Sequence, residues 1–249
     1  MATLTAGLAG FVGLWAMFEH RPGWYRPGQA DDATARRAQV SAAEFVDSIS
    51  DQLAGSQGIE LIVNASEAND WIASLPRLWP EAARSLPPEL SNLAIGFRPG
   101  AVHVGGYYTG DGWHSILNVT IALELCNEGS TLIVRLTDVH SGALPIPRAA
   151  LAKVFGKLVG KASDASGLDA WNPLAPSARR QRELIPEPSP GRPAEQRPSG
   201  GLAGLRSVDQ LFEGIRIDNR FIWPNGDRPC RISSLRISPG ELRIGLEPL

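Results

Sequence analysis

Ile116-Leu-Asn-Val-Thr-Ile-Ala-Leu-Glu-Leu-Cys126 alternates without a break. In an extended chain Leu117, Val119, Ile121, Leu123 and Leu125 point one way, and Asn118, Thr120, Ala122, Glu124 and Cys126 the other. A strand that is dry on one face and wet on the other belongs to an antiparallel sheet, because parallel strands covered on both faces read as continuous apolar runs. The pattern continues on both sides. Leu132, Val134 and Leu136 resume it after a turn at Asn127 to Ser130. Upstream, Leu93, Ile95 and Phe97 alternate, Pro99-Gly100 turns the chain, and Val102 and Val104 form the other arm of a hairpin.

Helical signals flank this sheet. Ser41-Ala-Ala-Glu44 has the capping-box spacing, so a helix is expected to start at Ser41 and to carry Phe45, Val46, Ile49 and Leu53 until Gly55 and Gly58. A short strand over 59–63 precedes a second helix that starts at Asn64 or Ser66 and carries Trp71, Ile72 and Leu75. Pro76, Pro80, Pro87 and Pro88 limit the chain from there to Ser91 to loops or single turns. Pro147 sits at a favourable first helical position, and Leu151, Val154, Phe155, Leu158 and Val159 form an apolar stripe beside Lys153, Lys157 and Lys161.

From 162 to 206 periodicity is lost and prolines accumulate, which predicts a disordered insert. Beyond it, a short helix near Val208 leads to a strand with Ile215 and Ile217. A hairpin at Asn225-Gly226 and last strands around Pro239-Gly240 complete the chain. The fold class is α+β, a curved antiparallel sheet packed against two or three helices, because a one-sided sheet needs a covering layer.

The chain starts with a run free of charge from Met1 to Phe18, followed by Arg21, Trp24, Tyr25 and Arg26. As a helix, Ala2 to Phe18 reaches roughly 25 Å, and aromatic and cationic side chains at its end suit the headgroup region. We read 1–19 as a single N-terminal transmembrane anchor and 20–38 as a connector. A single domain then spans 39–161 and 207–249, interrupted by the insert at 162–206. No small-residue cleavage pattern follows the apolar run. Arg21, Arg26, Arg36 and Arg37 follow it and no Lys or Arg precedes it, which by the positive-inside rule alone points the domain toward the cytoplasm.

Composition narrows the function. The 249 residues hold 26 acidic and 24 basic side chains, and the cations are scattered, which sets nucleic-acid binding aside. Cys126 and Cys230 are compatible with one disulfide or with two free thiols. His20, His103, His114 and His140 show no metal-ligand spacing, and no nucleophile elbow, phosphate loop or dinucleotide fingerprint is present. Gly105-Gly106 and Gly110-Asp-Gly112 read as bulge and turn glycines. The sequence therefore gives no reason to expect catalysis, a cofactor or a metal.

Three stretches, Ser66-Glu-Ala-Asn69-Asp-Trp71, Gly142-Ala-Leu-Pro145-Ile-Pro147 and Phe221-Ile-Trp-Pro-Asn-Gly226, resemble the YpmS-like family of bacterial membrane-anchored proteins and, more distantly, tubular lipid-binding (TULIP-type) domains. The resemblance covers 39–161 and 207–249. It implies an N-terminal anchor, an extracytoplasmic domain and an apolar groove for lipid, with no catalytic residues. The side chains that would line such a groove are Leu117, Val119, Ile121, Leu123 and Leu125 opposite Leu151, Phe155 and Leu158; the alternative reading of the same residues is that they fill a closed core. The competing expectation is a ligand-free envelope scaffold that meets protein partners through the Pro-rich insert, Trp113 and Trp223.

Overall fold

The computed structural model describes residues 12–53, 58–84, 86–110, 112–127, 129–152, 207–222 and 229–249. The expected insert at 162–206 and the Asn225-Gly226 turn lie outside them, as do Phe155, Leu158 and Trp223. Within them the fold is α+β, and its strands form two antiparallel sheets rather than one.

The larger sheet contains β2 (Leu90–Arg98), β3 (Ala101–Gly110), β4 (Trp113–Cys126), β5 (Thr131–Ser141) and β6 (Leu144–Pro145) in that order, with β7 (Ile215–Asp218) also paired to β5. The smaller sheet runs β1 (Ile59–Asn64), β10 (Glu241–Pro248), β9 (Pro229–Ser238), β8 (Phe221–Ile222). One face of the smaller sheet does two jobs. Ile59, Leu61 and Leu246 pack on Ile49 of helix α2 (Asp32–Leu53), together with the buried Cys230, which forms no disulfide. Further along, Val63, Ile237 and Leu242 pack on Phe97 and Val102 of the larger sheet and on Ala68 of α3 (Ala65–Ala73). The Pro-rich stretch after α3 forms two single-turn helices, α4 (Leu75–Leu78) and α5 (Pro80–Arg84), with Pro76 and Pro80 in their first turns where no N–H is needed.

Helix α2 begins nine residues before Ser41. Asp31 caps it, its carboxylate accepting the Thr34 N–H at 2.6 Å and its carbonyl that of Ala35 at 3.0 Å. This hydrogen bond holds the Asp31 carboxyl below its ordinary range. No breaker lies between Asp32 and Ser41, so the capping-box residues fall mid-helix. Ser41 instead donates to Glu67 and accepts from the Trp71 indole N–H at 3.2 Å, tying α2 to α3. The working capping box belongs to α6 (Val208–Glu213), where the Ser207 hydroxyl accepts from Gln210 N–H and the Gln210 side chain from Ser207 N–H.

Residues 12–18 form helix α1. Among the described residues no helix is long and apolar enough to cross a membrane, and residues 1–11 of the expected anchor lie outside them. The residues after α1 do not behave as a free connector. Tyr25 is 4% exposed and Trp24 half-buried, both packed on the larger sheet. The indole of Trp24 lies over Gly96 and Gly105, where a Cβ would meet its ring at 2.8 Å. The Tyr25 hydroxyl donates to the Asn92 carbonyl at 2.5 Å, beside the register shift in β2. Trp24 and Tyr25 are therefore protein core, not an interfacial extension of α1: paired glycines on one sheet face give two large rings a floor that water would otherwise occupy. Gly105 and Gly106 pair in unbroken register with β4, while on their other side they lie opposite the register shift of β2 between Ser91 and Ala94, so they do sit at a bulge; Gly112 is a turn residue at φ +80°.

Candidate functional site

The side chains expected to face a ligand do share one face of β4. Register places Leu117 opposite Ser141, Val119 opposite Val139, Ile121 opposite Leu136, Leu123 opposite Val134 and Leu125 opposite Leu132. β7 adds Ile215 beside Val134 and Ile217 beside Leu132. An extra residue on β5, between Asp138 and Leu136, lets the apolar side chains stay in phase on both sides of Thr120–Ile121. From Leu117 to Leu125 the strip is about 27 Å long at 3.4 Å per residue.

The strip is only partly closed. Ile121 and Leu123 join the cluster around Phe97 and Val102, yet all five β4 residues, and Leu132, Val134, Leu136 and Val139 opposite them, remain half-buried. These side chains keep only a minor part of their surface in contact with water, so sealing each gains on the order of 0.5 kcal/mol, and a hydrocarbon laid along all nine has a driving force of a few kcal/mol before ordering costs. Leu151 is half-buried in the first helical turn after Pro147. Phe155 and Leu158, expected opposite β4, lie outside the described residues, as does the side chain of Trp113.

The other face of the larger sheet is not uniformly wet. Near Glu124 it is, with an exposed ion pair to Arg135 at 3.6 Å. Higher up, Asn118 is 6% exposed and donates to the Gly142 carbonyl at 3.0 Å, under the cover that Trp24 and Tyr25 provide. His103 stacks on Trp24 with centroids 5.3 Å apart and meets Thr120 Oγ1 at 3.1 Å. Burial, and then the nearby Arg98 charge, push its pKa down, so it sits neutral in this layer. Burial also raises the pKa of Tyr25.

A cleft of 460 Å³ opens at the outer edge of β2, lined by Trp24, Gly28, Asn69, Ile95, Gly96 and Phe97 among others. Its buried amide is fully engaged. Asn69 Nδ2 donates to the carbonyls of Ala65 at 2.6 Å and Ile95 at 2.9 Å, and Oδ1 accepts the Ile95 N–H at 2.8 Å. The side chain thus stands in for a neighbouring strand and closes the sheet edge. Asn219 does the same for Ile232, accepting its N–H at 2.9 Å and donating to its carbonyl at 2.7 Å and to that of Gly129 at 2.6 Å.

Sequence reasoning missed the polar junction at the head of the strip. Ser115, Ser141 and Asn118 are each 5–6% exposed, and Gly142 beside them has φ +59°. Glycines at same-face cross-strand positions, Gly96 and Gly105, were the signal that a bulky cover lay over that face. Among the described residues no group of three His, Cys, Asp or Glu side chains is placed to hold a metal ion. The chain matches no protein-family model, no curated protein and no solved structure.

Proposed function

We propose that this chain is a membrane-anchored, non-catalytic protein whose apolar strip on β4 and β5 holds a lipid acyl chain. The observation that carries the reading is the half-burial of a continuous two-strand row of Leu, Val and Ile side chains about 27 Å long. The outward-facing apolar side chains of α1 support the membrane part: Val12, Leu14, Trp15 and Met17 are 44–58% exposed. They continue an uncharged sequence, and an exposed Arg21 follows at the headgroup level. A groove of aliphatic side chains suffices for such a ligand, since each methylene moved out of water contributes about 0.8 kcal/mol.

The test is mass spectrometry of the full chain extracted from membranes under native conditions. Wild type is expected to carry acyl lipid, and Val119→Gln with Val139→Gln to lose it while remaining membrane-bound. Recovery of lipid-free wild-type protein, or equal lipid on the double variant, overturns the proposal.

A further inference from the structure

The strip and the anchor meet at one point. Ser115 lies two residues before Leu117 on β4 and therefore shares its face. Its hydroxyl donates to the Phe18 carbonyl at 3.0 Å, at the last residue of α1. Ser141, the cross-strand partner of Leu117, donates to Ser115 Oγ at 2.8 Å. The Ala143 N–H donates to the Met17 carbonyl at 2.7 Å. Between Ser141 and Ala143, Gly142 leaves room for this approach: a Cβ there would collide with the carbonyl oxygens of both Met17 and Phe18. A helix normally leaves its last carbonyls orphaned, and here the sheet takes up two of them. α1 is therefore bolted to the domain, and Leu117 begins the strip about 7 Å from that bolt, two residues along the strand.

Resting on the reading that α1 enters a bilayer and that the strip holds an acyl chain, we infer that the ligand is a phospholipid of that same bilayer. Its chain passes along α1 on to Leu117 and Val119 without crossing water. An apolar solute captured from solution, or a strip reached through a water-filled gap, would not need the anchor's end fixed against the strip's first residue. The dimensions agree, because one leaflet is roughly 15 Å of hydrocarbon and the strip is longer than that. A chain that crosses water loses about 0.8 kcal/mol per methylene on the way; here the one polar step between α1 and Leu117 is the Ser115–Ser141 pair, which is buried with its hydroxyls bonded to each other and to Phe18, so that loss is kept small.

The experiment uses the full chain in phosphatidylcholine vesicles doped with a phospholipid bearing a diazirine at one acyl terminus. A parallel sample receives the diazirine fatty acid in detergent-free buffer. Adducts are mapped by peptide mass spectrometry, and vesicle flotation reports anchoring. Wild type is expected to be labelled on β4 and β5 by the vesicle phospholipid. Gly142→Val, which forces α1 off the sheet, should still float while its strip labelling falls about tenfold. Ser115→Ala, which removes the hydroxyl and adds no bulk, gives the second reading should Gly142→Val not fold. Strip labelling that is equal in wild type and in both variants overturns this inference and leaves the lipid-holding strip standing. Labelling by the free fatty acid but not by vesicle phospholipid overturns it too, in favour of a solute. Absence of strip adducts with either probe defeats the lipid-holding reading itself, and failure to float defeats the anchor.

Discussion

Replacing Asn69 by alanine removes three hydrogen bonds at once and leaves the N–H and C=O of Ile95 facing outward from the edge of β2. A buried donor or acceptor without a partner costs about 1–3 kcal/mol, so the two Ile95 groups set a range of about 2–6 kcal/mol if the site stays dry. It does not stay dry. The 460 Å³ cleft borders both Asn69 and Ile95, far more room than the ~30 Å³ share of one water, so solvent reaches the exposed groups and the expected loss is about 2–3 kcal/mol. Asn219 makes the same pair of bonds to Ile232 but is not part of that cleft. Asn219→Ala is accordingly expected near the upper end of the range. The assay is urea denaturation of the full chain in detergent, followed by tryptophan fluorescence. A lowered midpoint at unchanged slope reports stability alone. A loss under ~0.5 kcal/mol for Asn69→Ala, or a larger loss for Asn69→Ala than for Asn219→Ala, refutes the strand-substitute reasoning.

Gly96→Val inserts a branched side chain where the Trp24 ring already lies, and should cost about 1–3 kcal/mol and red-shift tryptophan emission as the indole leaves its floor; an unshifted spectrum contradicts the packing. His103 has a folded pKa below its unfolded value, so the unfolded state binds more protons, and its contribution is complete above about pH 6.5 and declines as pH falls. The slope of stability against pH between 5 and 7 should therefore flatten in His103→Phe; an unchanged slope assigns the effect elsewhere. Asp31→Ala removes the cap of α2 and should lower helicity by circular dichroism, and wild type should show the same loss in acid as the depressed Asp31 carboxyl protonates. Identical acid melts of the two proteins would exclude Asp31 as the group involved.

Strand alternation made the larger sheet legible, because side-chain period and face are the same fact. The β2–β3 turn, β4 with its inward set, α3 after Asn64 and the short helix at Val208 all follow from local signals. The errors share a cause. Ser41-Ala-Ala-Glu44 and Ser207-Val-Asp-Gln210 present the same spacing, and only the second caps a helix, because the segment before Ser41 is itself helix-forming and already capped by Asp31. Trp24 and Tyr25 have the composition of a membrane interface, and nothing local announces that Gly96 and Gly105, some seventy to eighty residues on, are their floor. The split into two sheets was equally hidden. It depends on β1 pairing with β10 far along the chain, Ile59 with Leu246 and Asn64 with Glu241, while β2 turns its outer edge to Asn69. The strip was readable residue by residue; its half-closure was not, since that depends on how far the smaller sheet extends over it.

The junction at Phe18 also orders events during synthesis. Phe18 waits for Ser115, 97 residues later, so the N-terminal segment has left the ribosome long before its resting place exists. Contacts of such sequence separation form slowly, and domains emerge N-terminus first. Two large rings and the apolar side chains of α1 thus stay unshielded while the hairpins assemble, the stage at which exposed apolar surface is most open to aggregation. The native protein is then completed when the sheet, made later, closes on Met17 and Phe18, made earlier.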